Sequence, residues 1–234
     1  MAARVGVKVA VLDRANPIGG EAVEGNVLRP EWASFVGPYP LPMRHGFTLG
    51  ELARYYRATQ QIDCDLEVVP LQGWHRGDHF DATGLPWVLP SPNLPTLDGA
   101  LVYPGQVLLE GTNLSEGRGT TRPFELWGAP FLEPTRILSA LPELPGVVLR
   151  PACFEPTFHK WAGELCRGQV LVERICNRDR CRSLVLIGNP RVHLVEVIRI
   201  VQVVAEHGEH SQLDDDAVGQ LAREVQVESV VHRP

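Results

Sequence analysis

The stretch VGVKVAVLD (residues 5–13) decides the fold when it is set beside DLEVVPL (residues 65–71). Both are short, mostly apolar and rich in β-branched residues, which reads as buried strands of the parallel type. Between them lies MRHGFTLGELARYYRATQQI (residues 43–62), which predicts a helix. Thr48 is its N-cap, and Glu51, three residues on, completes a capping box. Leu49, Leu52, Tyr55 and Tyr56 then share one face. Strand, loop, helix, strand is a βαβ unit, so the expected class is α/β with a parallel sheet and helical crossovers.

Working outward, the first strand runs into the Pro/Gly/Asn loop DRANPIGGEAVEGN. After the second strand comes QGWHRGDHFDATGLPWVLPSPNLPT (residues 72–96), a long segment that Trp74 and Trp87 mark as ordered. Thr96 is read as the cap of a short helix ending at Tyr103, and QVLLEG (residues 106–111) as a third strand. Ligands of open α/β sheets bind beyond the carboxyl ends of strands, where three polar loops are then expected to gather. SALPELPGV (residues 139–147) reads as a linker, giving an expected division into 1–145 and 146–234, the second a small α+β part. Beyond about residue 169 the texture changes. VHLVEVIRIVQVVAEH places polar residues at 193, 196, 199 and 202, a spacing that suits neither a strand nor a one-faced helix. SQLDDDAVGQLAREVQ (residues 211–226) reads as a short helix with an acidic first turn.

A formal charge of −6 argues against a nucleic-acid or anionic-membrane partner, since either favours a basic face. No apolar run is long enough to span a bilayer, and the N-terminal residues lack the apolar core of a signal peptide. The five cysteines are odd in number and scattered, so no disulfide framework is expected. Cys176 and Cys181 lack a second close-spaced pair, so a tetrahedral zinc site is not expected either.

The loop EGTNLSEGRGTT (residues 110–121) concentrates acids, an arginine, an asparagine, hydroxyls and glycines. Backbone amides of such a loop can cradle phosphate, but it has no P-loop lysine and two glutamates would repel the anion. Carboxylates beside a guanidinium and hydroxyls suit a sugar, and glycosidases work with paired acids. An Ω-loop bonded to itself, with no ligand, is the third reading.

The segments VLDRANPIGGEAVEG, RHGFTLGELA, GWHRGDHFDATGLPWVLPSPNLPT, ALVYPG and LLEGTNLSEGRGTTRPFELWGAP, in that order, resemble the NamZ family of exo-β-N-acetylmuramidases. RPACFEPTFHKWAGELCRG resembles the opening of that family's C-terminal domain, so the resemblance spans roughly residues 9–168. It implies a Rossmann-like catalytic domain with a smaller second domain over its rim. It also implies release of N-acetylmuramic acid from non-reducing ends of peptidoglycan fragments, with no cofactor or metal. Family members carry a further half-domain before the VLDR strand, and their pattern fades after Gly168, so a truncated or frame-shifted reading frame is expected. Export or a role in wall recycling is the family expectation for location.

Glu116 and Glu110 are the candidate catalytic acids, with His45 before the helix N-terminus as a group that titrates near neutrality. Glu110 is equally readable as a loop acid bonding backbone amides, and Glu116 as a solvated one. Arg118 is the candidate partner of the lactyl carboxylate of muramic acid, or else an ion pair with Glu116 or Glu125. The remaining substrate-binding candidates are Asp13, Asn16, Arg44, Trp74, Asn93, Asn113 and Ser115. Asn16 is equally an Asx-turn residue, and Trp74 either stacks on a sugar or anchors its loop. A non-catalytic muropeptide-binding module and a remnant without sugar affinity are the rival classes.

Overall fold

A computed structural model of the 234-residue chain describes residues 1–141 and 147–173. The chain divides into two compact units, Met1–Val88 and Leu89–Pro234. Part of the linker expected at residues 139–147 lies outside the described residues, as do the segments expected at 192–207 and 211–226 and the pair Cys176 and Cys181.

The first unit holds the expected βαβ pattern. After a short helix α1 (Ala2–Val5), strand β1 (Val9–Leu12) pairs in parallel with β4 (Leu66–Val69), Val9 opposite Leu66 and Leu12 opposite Val69. Helix α2 (Leu49–Thr59) connects them and packs on both. Gly50 permits the close approach, because a Cβ there would sit 2.5 Å from Val68 Cγ1 and 2.8 Å from Asp13 Cγ. A small antiparallel pair, β2 (Glu24–Val27) and β3 (Pro42–Arg44), is inserted before α2.

One expectation fails here. The β1 and β4 strands read as buried on both faces, yet both alternate between half-buried and exposed residues, with Leu12 70% and Val69 45% exposed. Within this unit a single helix covers the sheet, so only one side of the pleat finds apolar partners. Ala22 is the one buried hydrophobic residue among residues 1–88.

The second unit has the larger core. Helix α3 (Leu97–Gln106) begins at Thr96, whose hydroxyl accepts from Gly99 N–H at 3.0 Å, as expected of an N-cap. The run expected as a third strand is not one: α3 continues into a 3-10 helix, Val107–Gly111. Val102, Gln106 and Leu109 are all buried and spaced four and three apart, a helical stripe. A short apolar run carries too few turns to distinguish that stripe from a strand.

Strand β5 (Leu126–Ala129), helix α4 (Pro134–Ala140) and strands β6 (Val147–Phe154) and β7 (Cys166–Glu173) follow, forming an antiparallel sheet in the order β5-β7-β6. Pro151 sits in β6, which among the described residues pairs with β7 alone, and proline is tolerated in a strand with one neighbour. Gly128 and Gly168 face each other where β5 meets β7, and a Cβ on Gly168 would lie 1.9 Å from the Trp127 carbonyl oxygen. Val102, Leu109, Leu114, Phe124, Trp127, Leu132 and Ile137 form the core beneath this sheet.

Candidate functional site

Each unit gathers its own share of the candidate residues. In the first, the loops after β1 and β4 meet the turn before α2. The Asp13 amide donates to the Val69 carbonyl at 3.0 Å, Gly20 N–H to Arg76 O at 2.7 Å, and Phe80 N–H to Pro17 O at 3.0 Å. Asp13, Asn16, Arg44, His45 and Trp74 are thereby held around the carboxyl end of the β1–β4 ladder, where the sequence places them.

Most of these side chains are occupied. Asp13 accepts from Gly50 N–H at 2.7 Å and Arg14 N–H at 2.9 Å through Oδ1, and from the Thr48 hydroxyl at 3.0 Å through Oδ2. It is an acid on the N-terminus of α2, where free amides and the helix dipole favour negative charge. Thr48 and Glu51 form the expected capping box. Asn16, 9% exposed, makes the Asx turn by accepting from Ile18 N–H and donates to the Phe47 carbonyl at 3.1 Å. Arg44 is locked between Glu24 at 3.1 Å and the Ile18 carbonyl at 2.8 Å. Trp74 donates to the Asp78 carbonyl at 3.1 Å and lies over Gly20, whose Cβ position is 2.9 Å from Trp74 Cη2. Trp74 anchors its loop.

His45 differs. Its Nδ1 accepts from Phe47 N–H at 3.1 Å, and its ring stacks on Phe47. The neutral ring therefore carries its proton on Nε2. Burial holds its pKa below the ordinary histidine value, because the cation loses hydration. Sequence reasoning passed over Arg76, which donates to the Gly20 and Gly46 carbonyls, each at 3.2 Å, and pairs with Glu51. It fastens three rim segments together, and no local pattern around "WHRGD" announces that.

In the second unit the charged loop is built around Arg118. Its Nε donates to Glu110 Oε1 at 2.9 Å and its Nη2 to the same oxygen at 2.5 Å, while Nε lies 3.3 Å from Glu116 Oε1. Glu110 thus holds the guanidinium instead of backbone amides, and Glu125, one of the two expected partners of Arg118, pairs with Arg122 at 3.1 Å. The guanidinium also lies over the Phe124 ring, 5.0 Å from its centre. Glu116 is not a solvated loop acid. It is 1% exposed, with its second oxygen 3.2 Å from Lys160 Nζ. A carboxylate so deeply buried needs partners, and it has two cations.

Ser115 is 2% exposed and accepts from Gly117 N–H at 3.2 Å, while its backbone bridges to Gly128. The Asn113 carbonyl accepts from Trp161 Nε1 at 2.7 Å, and its side-chain oxygen is buried without a hydrogen-bond partner. Asn93 lies in a turn, its amide donating to the Ser91 hydroxyl at 3.3 Å. Tyr103, unremarked in the sequence, stands edge-on to Phe124, and burial together with the Glu110 charge raises its phenol pKa. Lys160 was also missed. It comes from a loop far along the chain, and only the fold brings it to Glu116.

Among the described residues no three His, Cys, Asp or Glu side chains converge as metal ligands, and no helix is long and apolar enough to cross a membrane. An open cleft of about 340 Å³, lined by Arg54, Arg57, Gln61 and Asp63 among others, sits near the C-terminal end of α2. The candidate residues Asp13 and His45 lie at the helix's other end.

Comparison with known proteins gives concordant results. The family model described as "Exo-beta-N-acetylmuramidase NamZ, N-terminal" matches residues 1–98, and the corresponding C-terminal model matches residues 101–193. The peptidoglycan beta-N-acetylmuramidase NamZ of Bacillus subtilis (strain 168) is 52% identical over 181 residues, which is 76% of this chain and 43% of that protein. The chain therefore spans less than half the length of this curated relative. Two crystal structures of DUF1343 family proteins from Bacteroides fragilis share the fold. One has a TM-score of 0.66 at 26% identity, covering 97% of this chain and 67% of the other. The second has a TM-score of 0.56 at 26% identity, covering 96% and 64%. With both family models matching in order along the α/β fold, the chain belongs to the NamZ family.

Proposed function

We propose that this chain is part of a glycoside hydrolase that releases N-acetylmuramic acid from the non-reducing ends of peptidoglycan fragments. The observation that carries the reading is the 52% identity over 181 residues to a protein named as a peptidoglycan beta-N-acetylmuramidase. The chemistry of the loop supports it. Arg118 spends Nε and Nη2 on Glu110 and Glu116, and its Nη1 makes no hydrogen bond or ion pair among the described residues. A guanidinium with a free edge suits the lactyl carboxylate that distinguishes muramic acid from other amino sugars.

The candidate acids then separate by environment. Glu110 is 40% exposed at its side chain and Glu116 2%, so Glu110 is the one positioned to exchange a proton with substrate, and Glu116 acts as a fixed counter-charge. In the first unit, taken by itself, His45 keeps Nε2 without a hydrogen-bond partner among the described residues, a donor open to ligand. Asn93 and Asn113 are the candidates for the N-acetyl group. Release of 4-nitrophenol from a nitrophenyl N-acetylmuramic acid glycoside tests the activity. No release above the uncatalysed rate from this chain, with calorimetric binding of N-acetylmuramic acid, would favour the second reading, a non-catalytic muropeptide-binding module.

A further inference from the structure

We propose that Lys160 is a positioning residue, whose ammonium fixes the segment around Arg118 so that Nη1 of that guanidinium stays free for an anionic sugar substituent. The inference rests on reading Arg118 as the carboxylate contact and names the group that keeps it available.

Lys160 Nζ donates to the carbonyls of Leu109 at 2.9 Å, Glu110 at 3.1 Å and Leu114 at 3.0 Å, and to Glu116 Oε2 at 3.2 Å. An ammonium has three protons, so with four acceptors around it one proton is shared between two oxygens and none is left for a further partner. Leu109 and Glu110 belong to the 3-10 helix that ends at Gly111, and a cation is favoured at the carbonyl end of a helix; the Leu109 carbonyl also accepts from the Thr112 amide and hydroxyl. Lys160 thus joins the end of that helix, the start of the polar loop and the buried glutamate in a single contact.

The loop that presents Lys160 is itself held on both sides. Thr157 donates to the Gly119 carbonyl through its amide at 3.0 Å and its hydroxyl at 2.9 Å, and Trp161 donates to Asn113 O. His159 and Trp161, the two neighbours of Lys160, have φ of +70° and +60°. Non-glycine residues adopt that left-handed region at an energetic cost and keep it where surrounding contacts over-determine the backbone.

Glu116 carries the effect onward. One oxygen faces Lys160 and the other Arg118, so the buried carboxylate divides its charge between two cations. With Lys160 gone, Arg118 would be its only cationic partner. The guanidinium would turn inward to satisfy it, withdrawing Nη1 from ligand. Sugar recognition that does not involve the carboxylate would be unaffected.

The test compares calorimetric affinities for N-acetylmuramic acid and for N-acetylglucosamine, the same ring without the lactyl group. Amide hydrogen exchange over residues 109–119 is measured alongside. In Lys160→Met the preference for the acidic sugar is expected to fall about tenfold, with N-acetylglucosamine binding unchanged. The double variant Lys160→Met, Glu116→Gln removes the charge that draws Arg118 inward and is expected to recover the preference. An equal loss for both sugars, or no recovery in the double variant, overturns the positioning role. Should Lys160→Met not fold, Lys160→Gln is read instead: its amide can still donate to the converging carbonyls but leaves Glu116 without its second cation, and an unchanged preference there overturns the proposal. A wild-type chain with no preference refutes the reading of Arg118. The exchange arm then judges Lys160 alone, with faster exchange at unchanged global stability upholding it and unchanged exchange overturning it.

Discussion

Asp13 shows how a residue at the expected place can serve a different end. Its carboxylate takes the Gly50 amide and Thr48 hydroxyl at the N-terminus of α2 and the amide of its neighbour Arg14, so Asp13→Ala is expected to destabilise the chain by about 1–3 kcal/mol, read as a lowered urea midpoint. His45 makes a pH prediction. Its folded pKa lies below the unfolded value, so the unfolded chain binds the proton more readily and acid favours unfolding. Stability should be full above the ordinary histidine value and fall as pH drops from about 7 toward 5. His79 is shifted the same way, by burial first and then by the Arg44 charge. Replacing His45 with Asn, which keeps an acceptor near the Phe47 amide, should flatten part of that slope in urea titrations at several pH values. At this scale the sequence disclosed residue types and positions but not their partners. Glu110, Glu116 and Arg118 were legible as a charged loop, whereas the Lys160 contact spans 44 residues or more and has no local signature.

Among the elements, those with a local cause were readable. The capping box at Thr48 and Glu51 and the cap at Thr96 are set by short-range hydrogen bonds, and both are present. The run Val107–Gly111 was misread because its apolar residues continue a helical stripe already begun in α3, and a few residues cannot reveal their period. The crossing of β5 and β7 offers a sharper test. Gly128 and Gly168 allow the two backbones to meet, and Gly168→Ala would force a methyl group onto the Trp127 carbonyl. Backbone must move to relieve that contact, so a loss of at least about 3 kcal/mol is expected, with loss of near-ultraviolet dichroism from Trp127 as the signal. Wild-type dichroism and stability in that variant would show that the two backbones do not meet this closely.

For the molecule as a whole, the two units differ in how much apolar surface they remove from water. Residues 1–88 bury one hydrophobic side chain, Ala22, while the second unit encloses Phe124, Trp127, Leu109 and their neighbours. Local stability follows buried apolar contact, so amides of Val102, Leu109 and Trp127 are expected to exchange at least about tenfold more slowly than those of Val9, Ala10 and Val11. Mass-resolved hydrogen exchange reads this directly, and equal protection in both would contradict it. The α/β class was legible because a βαβ repeat is a pattern of periods. How thinly the first unit is covered was not, because burial depends on what packs over a strand and not on the strand's own letters.

Pro151 has a consequence for how molecules of this protein meet. A strand at the margin of a sheet offers a ladder of donors and acceptors on which another copy can crystallise into a fibre. In β6, the outermost strand among the described residues, Pro151 stands near the middle, and its pyrrolidine ring supplies no amide hydrogen. Among the described residues no strand lies beyond β6, and a proline in the middle of such a strand is the kind of residue that discourages another chain from pairing there.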